Sequence, residues 1–164
     1  MNTQTKIIKL ATLKKKVRAL RGRKRKIAFT NGCFDILHLG HVSYLQEAKK
    51  AADVLVVGVN SDRSVRKIKG SNRPIVSEKS RAAVLAALAC VDHVVLFDEE
   101  TPIALIEAVK PDVLIKGADW KGKGAVGSES VKAYGGKVKF IKFVNGLSST
   151  GIIKRIVKSA KRKR

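Results

Sequence analysis

The chain has few cysteines, few aromatic residues and no long apolar segment. Only Cys33 and Cys90 occur among 164 residues, which excludes a disulfide framework or a zinc ribbon and predicts a reducing cytoplasm. No apolar run approaches the roughly 20 residues of a membrane span, and no apolar segment follows the charged N-terminus as in a secretory signal. With 45% hydrophobic residues, the length suits one domain with a buried core.

Acidic residues are absent from both ends of the chain, although the net charge is +22. None precedes Asp35 or follows Glu129, whereas residues 1–26 hold 11 Lys or Arg and residues 154–164 hold 7. The remaining 17 cations are nearly balanced by 13 acids. We therefore expect a basic N-terminal helix or extension over 1–24, a main domain over 25–158 and a basic tail over 159–164. These ends leave nucleic-acid binding open as an alternative, but aromatics are only 5%, which argues against a stacking platform.

Short β-branched runs alternate along the chain with helical periodicity. The runs predict strands at Ile27–Thr30, Val54–Val59, His93–Phe97, Val113–Lys116 and Val138–Phe143. The periodic segments predict helices at Ile7–Leu20, Leu39–Ala52, Ser77–Ala89, Pro102–Val109, Ser128–Tyr134 and Ser148–Lys158. Nearly all-apolar strands between helices indicate an α/β domain, a Rossmann-like, doubly wound five-stranded parallel sheet covered on both faces.

Ligands of such a sheet bind beyond the carboxyl ends of the strands, where the strand order reverses. The segment that follows the first predicted strand is TNGCFDILHLGH, residues 30–41. Loops 60–74, 116–127 and 145–150 are expected to face it. Residues that carry chemistry are therefore expected in these four segments.

The turn at residues 30–41 has the features of a phosphate site. A strand, a turn and a helix N-terminus bring free backbone N–H groups and the helix dipole together, and His38 and His41 flank Gly40 there. Two imidazoles at such a site indicate a phosphate whose charge changes, so the expected ligand is a nucleoside triphosphate. The alternative is a metal site with Asp35 as third ligand, but a rigid zinc-binding helix would not need Gly40 between the histidines.

These motifs resemble the HxGH nucleotidyltransferase superfamily. The series NGCFDILHLGH, VGVNSDRSVRKIKGSNRP, SEKSRAAVLAALACVDHVVLF, PDVLIKGADW and GLSSTGIIKRI is similar to the adenylyltransferase of ADP-heptose synthesis, in its stand-alone form or as half of a bifunctional kinase/adenylyltransferase. The resemblance covers about residues 25–157. It implies transfer of AMP from ATP to a sugar 1-phosphate.

The resemblance also implies roles for single residues. His38 and His41 would be catalytic, hydrogen-bonding the phosphates and stabilising the transition state. The nucleotide would be bound by Thr30, Asn31, Gly32, Cys33, Phe34, Gly40, Lys116, Gly117, Asp119, Ser148, Ser149 and Thr150. Many superfamily members have Thr at the position of Cys33, and the family pattern has a second glycine where this chain has Ala118. Contacts that depend on those residues do not carry over.

Cations and short polar groups after the second strand would hold the acceptor. We expect the sugar phosphate to contact Asn60, Asp62, Lys69, Arg73 and Arg81. For Arg81, near the start of a helix, the alternative is a salt bridge with Glu78. Asp35 either binds Mg²⁺ or caps the turn through backbone N–H groups, and the metal ligands stay unassigned.

The leading hypothesis is therefore an adenylyltransferase that converts ATP and D-glycero-D-manno-heptose 1-phosphate into ADP-heptose and pyrophosphate, with Mg²⁺. A cytidylyltransferase acting on glycerol 3-phosphate or a phosphoalcohol is the alternative within the same fold, and a basic nucleic-acid-binding protein is the alternative of another class. The hypothesis implies a separate sugar kinase upstream, leaves a homodimer open, and predicts turnover without residues 1–24 and 159–164.

Overall fold

Five parallel strands form the centre of the protein in the computed structural model, which describes residues 2–144 and 146–161. In the described chain the strands are β1 (Ile27–Gly32), β2 (Val54–Asn60), β3 (His93–Phe97), β4 (Val113–Gly117) and β5 (Lys137–Ile141). The helices are α1 (Leu10–Gly22), α2 (Leu39–Lys49), α3 (Asp62–Lys69), α4 (Glu78–Ala87), α5 (Ile103–Val109), α6 (Ser128–Ala133) and α7 (Ser149–Lys161). Two 3-10 helices cover Thr3–Lys6 and Ala118–Trp120. Of the described helices, none is long and apolar enough to cross a bilayer.

The order of the strands is β3-β2-β1-β4-β5, so the chain winds outward from β1 in both directions. Strand β1 pairs with β2 along its whole length and with β4 on its other side. The order therefore reverses between β1 and β4, and their carboxyl ends form the crevice where α/β sheets bind ligands. The predicted five-stranded Rossmann-like fold is confirmed.

Apolar residues fill both sides of the sheet, as alternate side chains of a strand point to opposite faces. One face packs residues of α2 and α4 such as Leu45 and Leu85. The other packs residues of α1, α5 and α6, including Leu13 and Val17. The basic helix α1 thus contributes fully buried side chains to the main core.

The elements differ from the prediction at several places. The N-terminal helix starts at Leu10, since Ile7 and Ile8 extend along the edge of β3 and pair with Val94. Residues 62–69, predicted as loop, form α3, whose first turn is capped by the Ser61 hydroxyl accepting from the Ser64 amide. Strand β5 ends at Ile141, and α7 continues to Lys161. The predictions for Asn145 and for Arg162–Arg164 lie outside the described residues.

Candidate active site

Two stacked imidazoles stand at the entrance to α2. His38 is the residue before the helix and has an extended backbone, while His41 lies in the first turn. The ring centroids are 3.9 Å apart and the ring planes differ by 24°. A Cβ atom at Gly40 would lie 3.0 Å from both Nδ1 and Cε1 of His38. The glycine therefore makes room for the His38 ring, which was not foreseen from the sequence.

The pKa of each imidazole lies below the ordinary value of 6.5 in the free protein. Burial lowers the pKa of His38. Burial, helped by the nearby His38 and Lys69, lowers the pKa of His41 to about 4. The two Nδ1 atoms are buried and have no hydrogen-bond partner among the described residues. The described part of the chain therefore fixes neither tautomer, and a neutral ring that carries its proton on Nε2 can donate it to a phosphate oxygen.

Arg81 supports the turn after β1 through a hydrogen bond to its backbone. Phe34 has a left-handed backbone with φ of 47°, and Arg81 Nη1 donates to the carbonyl oxygen of Cys33. The carbonyl and the next N–H of a trans peptide point in opposite directions, so the Phe34 N–H points away from Arg81. No residue of the described segments accepts a hydrogen bond from it, which leaves it free for an anion.

Asp35 fastens the end of this turn to the loop before α4. Its carboxylate accepts from the amides of Ile75 and Val76, at 2.8 and 2.9 Å, and from Arg73 Nε at 2.5 Å. The Asp35 side chain is 1% exposed. Oδ1 therefore caps two backbone N–H groups and Oδ2 pairs with Arg73, and direct binding of Mg²⁺ would compete with these bonds. Within the described residues, no cluster of three His, Cys, Asp or Glu is placed to hold a metal.

Lys116 and Asn31 link β4 to β1 across the crevice. The Lys116 ammonium donates to Asn31 Oδ1 over 2.8 Å, and burial lowers the pKa of Lys116 to about 8. The group thus stays largely protonated at neutral pH. A buried cation at the strand ends, with only one neutral partner among the described residues, favours an anionic ligand.

Two adjoining cavities open at this crevice, and they share the turn after β1, Lys69, Lys116, Trp120 and Phe143. The smaller one has a volume of about 190 Å³ and is lined by ten of the predicted site residues: Asn31, Gly32, Cys33, Phe34, Asp35, His41, Lys69, Lys116, Gly117 and Ser149. The larger one, of about 390 Å³, adds Asn60, Ile68 and residues 100–102. A groove of about 620 Å³ along β5 holds none of the predicted site residues.

Aromatic side chains that the sequence analysis did not select form one wall of the smaller cavity. Tyr44 stacks on Phe143 with centroids 5.4 Å apart, and its hydroxyl is 2.8 Å from Thr30 Oγ1. Thr30 is fully buried, so its side chain faces the interior and not the cavity. Trp120 is 44% exposed and borders both cavities. Tyr44 lies one helical turn after His41, a spacing that signals a shared face.

The three hydroxyls before and within α7 have different environments. Ser148 Oγ accepts from the Gly151 amide over 3.0 Å and caps the helix. Ser149 borders the smaller cavity, and its hydroxyl donates to the Ile36 carbonyl over 3.3 Å. Thr150 is exposed. Phosphate contact by these residues stays a prediction.

Two of the predicted acceptor residues, Arg81 and Lys69, have different environments. Arg81 is fully buried and donates to the carbonyls of Val76, Cys33 and Asn60 and to the Asp62 carboxylate. Its ion pair is thus with Asp62, while Glu78 accepts from the Asp62 amide. Lys69, at the end of α3, is exposed and borders both cavities.

The other predicted site residues differ in their contacts and in whether they border a cavity. Asn60 borders the larger cavity and donates to Ser64 Oγ. Arg73 pairs with Asp35. Asp119 is exposed and lines neither cavity. The geometry therefore brings together His41, Lys69, Lys116 and residues 31–35, the predicted phosphate turn. It gives Arg81, Asp62 and Arg73 positioning contacts.

A model of the cytidylyltransferase-like family matches residues 29–155. The chain belongs to this family. The match contains every predicted site residue, and the predicted membership in the HxGH nucleotidyltransferases is confirmed. The role of each residue stays a prediction.

Several curated relatives are similar over most of the chain. It is 52% identical over 158 residues to the bifunctional protein HldE of Geobacter metallireducens, covering 96% of this chain and 32% of that protein. It is 54% identical over 148 residues to the bifunctional protein HldE of Helicobacter pylori strain J99, covering 90% of this chain and 31% of the relative. The chain thus spans about a third of the length of these relatives.

Two solved structures have the same fold. The lipopolysaccharide core biosynthesis protein of Thermoplasma volcanium is 36% identical, with a TM-score of 0.60 over 73% of this chain and 97% of that one. The pantoate-beta-alanine ligase of Francisella tularensis, solved in complex with beta-gamma ATP and beta-alanine, is 18% identical, with a TM-score of 0.61 over 93% of this chain and 78% of that one. The similarity to the ligase shows a shared fold and nothing about function.

Proposed function

We propose that the protein transfers AMP from ATP to D-glycero-D-manno-heptose 1-phosphate and so forms ADP-heptose and pyrophosphate. The observation that carries the proposal is the stacked pair of His38 and His41 beside a cavity bordered by the phosphate turn and Lys116. The identity of about 50% to bifunctional proteins named HldE supports the sugar substrate, since the motifs resemble the adenylyltransferase half of a bifunctional kinase/adenylyltransferase.

The reaction needs charge stabilisation more than a covalent intermediate. A phosphate oxygen of the acceptor attacks the α-phosphorus of ATP and forms a new P–O bond. The bond from that phosphorus to the oxygen bridging to the β-phosphate breaks, and pyrophosphate leaves with the electron pair. Imidazole N–H groups of His38 and His41 stabilise the charge that grows on the phosphoryl oxygens.

The turn and the two lysines bind the substrates around that centre. The free Phe34 amide and the N-terminus of α2 receive phosphate oxygens, and Lys116 neutralises charge from the β4 side. Lys69 lies between the two cavities, which suits a cation that contacts both nucleotide and acceptor. The larger cavity, bordered by Asn60 and Thr101, has the polar groups that sugar hydroxyls require.

Mg²⁺ is part of the proposal as a companion of ATP. Because both Asp35 oxygens are engaged by protein donors, the ion would be held mainly by triphosphate oxygens and water, in keeping with its reluctance to lose water. When bound, it would reduce the charge of the leaving pyrophosphate.

The proposal also implies how the acceptor is made and in which compartment the reaction takes place. The acceptor arrives already phosphorylated, so a separate sugar kinase activity must precede this reaction. Both Cys33 and Cys90 are free thiols, which supports a reducing cytoplasm as the site of the reaction.

The second candidate is a cytidylyltransferase acting on glycerol 3-phosphate or another phosphoalcohol, favoured by the name of the matching family. A panel separates the two: ATP, CTP, GTP and UTP are each offered with heptose 1-phosphate, glycerol 3-phosphate and phosphoethanolamine, and pyrophosphate release is measured. We expect the highest kcat/KM for ATP with heptose 1-phosphate. A preference for CTP with glycerol 3-phosphate would replace the proposal with the second candidate.

A further inference from the structure

Helix α7 lies outside the core of the protein. Each of the helices α1 to α6 buries at least one side chain, whereas α7 buries none among its 13 residues. Its first turn is attached at the active site, where Ser149 donates to the Ile36 carbonyl. The helix is about 20 Å long at 1.5 Å per residue, so its far end extends well beyond this attachment.

The side chains of α7 separate into an apolar and a cationic half. At about 100° per residue, the apolar residues fall within an arc of roughly 140°; they are Ile152, Ile153, Ile156, Val157 and Ala160. The cations occupy the opposite side, and they are Lys154, Arg155, Lys158 and Lys161. The helix has no acidic residue.

The apolar half is covered only near the attached end. Ile152 and Ile153 are partly buried, whereas Ile156 and Val157 are 60% and 49% exposed. A groove of about 470 Å³ runs beside Val157 between the lysines. Beyond Lys161 the sequence continues with three more cations, Arg162, Lys163 and Arg164, which lie outside the described residues.

We propose that α7 docks the protein reversibly on an anionic phospholipid surface, with Ile156 and Val157 between the acyl chains and the cations among the headgroups. A helix with segregated faces and Lys or Arg on the polar side lies in the plane of such an interface. The long lysine side chains can extend from the edge of the apolar half of α7 to the phosphates of the lipid headgroups.

Charge complementarity selects this partner over two others. A second copy of the chain would bring the same cations, and the net charge of +22 makes copies repel each other. A nucleic acid would match the cations but leave the exposed isoleucine and valine in water. An anionic lipid surface can bury the apolar residues of the helix among acyl chains and bind its cations through the headgroups. The electrostatic attraction weakens as the salt concentration rises.

The test is co-sedimentation of the full chain with vesicles, either of pure phosphatidylcholine or of an equimolar mixture with phosphatidylglycerol. We expect binding to the mixed vesicles alone, weakening as salt increases. Ile156→Ser with Val157→Ser should lower the partition coefficient about tenfold or more, because two aliphatic side chains no longer leave water. Lys154→Gln with Lys158→Gln should lower it about fivefold per charge.

Matched controls test whether the loss of binding is specific to α7 or follows from the removal of any exposed valine or lysine. Val84→Ser removes a valine that is 45% exposed on α4, and Lys121→Gln with Lys123→Gln removes two loop cations; both should bind as the parent does. Three results would overturn the proposal: no binding to the mixed vesicles, undiminished binding by the Ile156→Ser, Val157→Ser variant, or a dimer in light scattering that this variant dissociates. Binding to single-stranded RNA in preference to the mixed vesicles would overturn it as well.

Discussion

The imidazole of His38 occupies the space above Gly40 that any larger residue would need. A Cβ at residue 40 would approach Nδ1 and Cε1 of His38 to 3.0 Å, a separation tighter than ordinary van der Waals contact. The ring would therefore have to shift by a few tenths of an ångström relative to its stacked position on His41. This glycine sets the geometry of the histidine pair.

Gly40→Ala should therefore reduce activity without reducing stability. Alanine favours the helix by about 1 kcal/mol over glycine, so the melting temperature should not fall. This shift of His38 should lower kcat, by less than the ~10²-fold that a misplacement of about 1 Å costs. Steady-state kinetics and thermal unfolding of the same preparation measure both effects. Equal kcat in the variant and the parent would show that the stacking has no catalytic value.

The protonation of His41 should respond to a triphosphate. Its pKa of about 4 reflects burial first and then the neighbouring His38 and Lys69. An anion nearby favours the charged form of an imidazole, so a non-hydrolysable ATP analogue should raise this pKa. NMR titration of the imidazole protons, with and without the analogue, measures the shift. An unchanged pKa would place the phosphates away from His41.

The same pKa predicts how stability depends on pH. The folded pKa of His41 lies below the unfolded value of 6.5, so the unfolded chain binds the proton more readily. The contribution of His41 to stability is therefore complete above pH 6.5 and is lost as the pH falls toward 4. His41→Gln should flatten this part of the pH dependence in urea unfolding.

Arg81→Lys should destabilise the protein and loosen the phosphate turn. A lysine cannot replace a buried guanidinium that joins Cys33, Asn60, Asp62 and Val76, and breaking such a buried pair costs about 3–5 kcal/mol. Denaturant unfolding measures this loss, and the KM for ATP should rise in parallel. Arg63→Lys is the control, because its exposed pair with Asp98 contributes only about 0–1 kcal/mol. Similar stabilities of the two variants would contradict the positioning role.

The N-terminal helix should be required for folding. Leu13 and Val17 belong to the core beside α5, so Leu13→Ala should cost about 2–5 kcal/mol of unfolding free energy. Removal of residues 1–24 exposes this core and should prevent folding, which makes that truncation unsuitable for separating an enzyme from a nucleic-acid binder. Lys14→Ala, at an exposed position on the same helix, is the control and should change stability little. A folded, active protein lacking residues 1–24 would refute the structural role of α1.

The sheet was predictable because its strands are apolar on both faces and separated by helices. Helix α3 was not, because only Val65 and Ile68 are apolar among its eight residues. The position of the turn after β1 and of His41 beside a cavity was predictable from a local motif, whereas their contacts with phosphate stay a prediction. Arg81 and Tyr44 act through contacts with residues far away in the sequence or on another element, and a single sequence gives no distance between such positions.

The central claim is that the histidine pair stabilises the transferring phosphoryl group. The most direct measurement is kcat for pyrophosphate release by His41→Ala with ATP and heptose 1-phosphate, beside His93→Gln, which changes a histidine at the opposite end of the sheet. Loss of one such donor should lower kcat about 10²–10³-fold in His41→Ala and leave the His93→Gln control unchanged. A His41→Ala protein that is folded and turns over within a few-fold of the parent would contradict the claim.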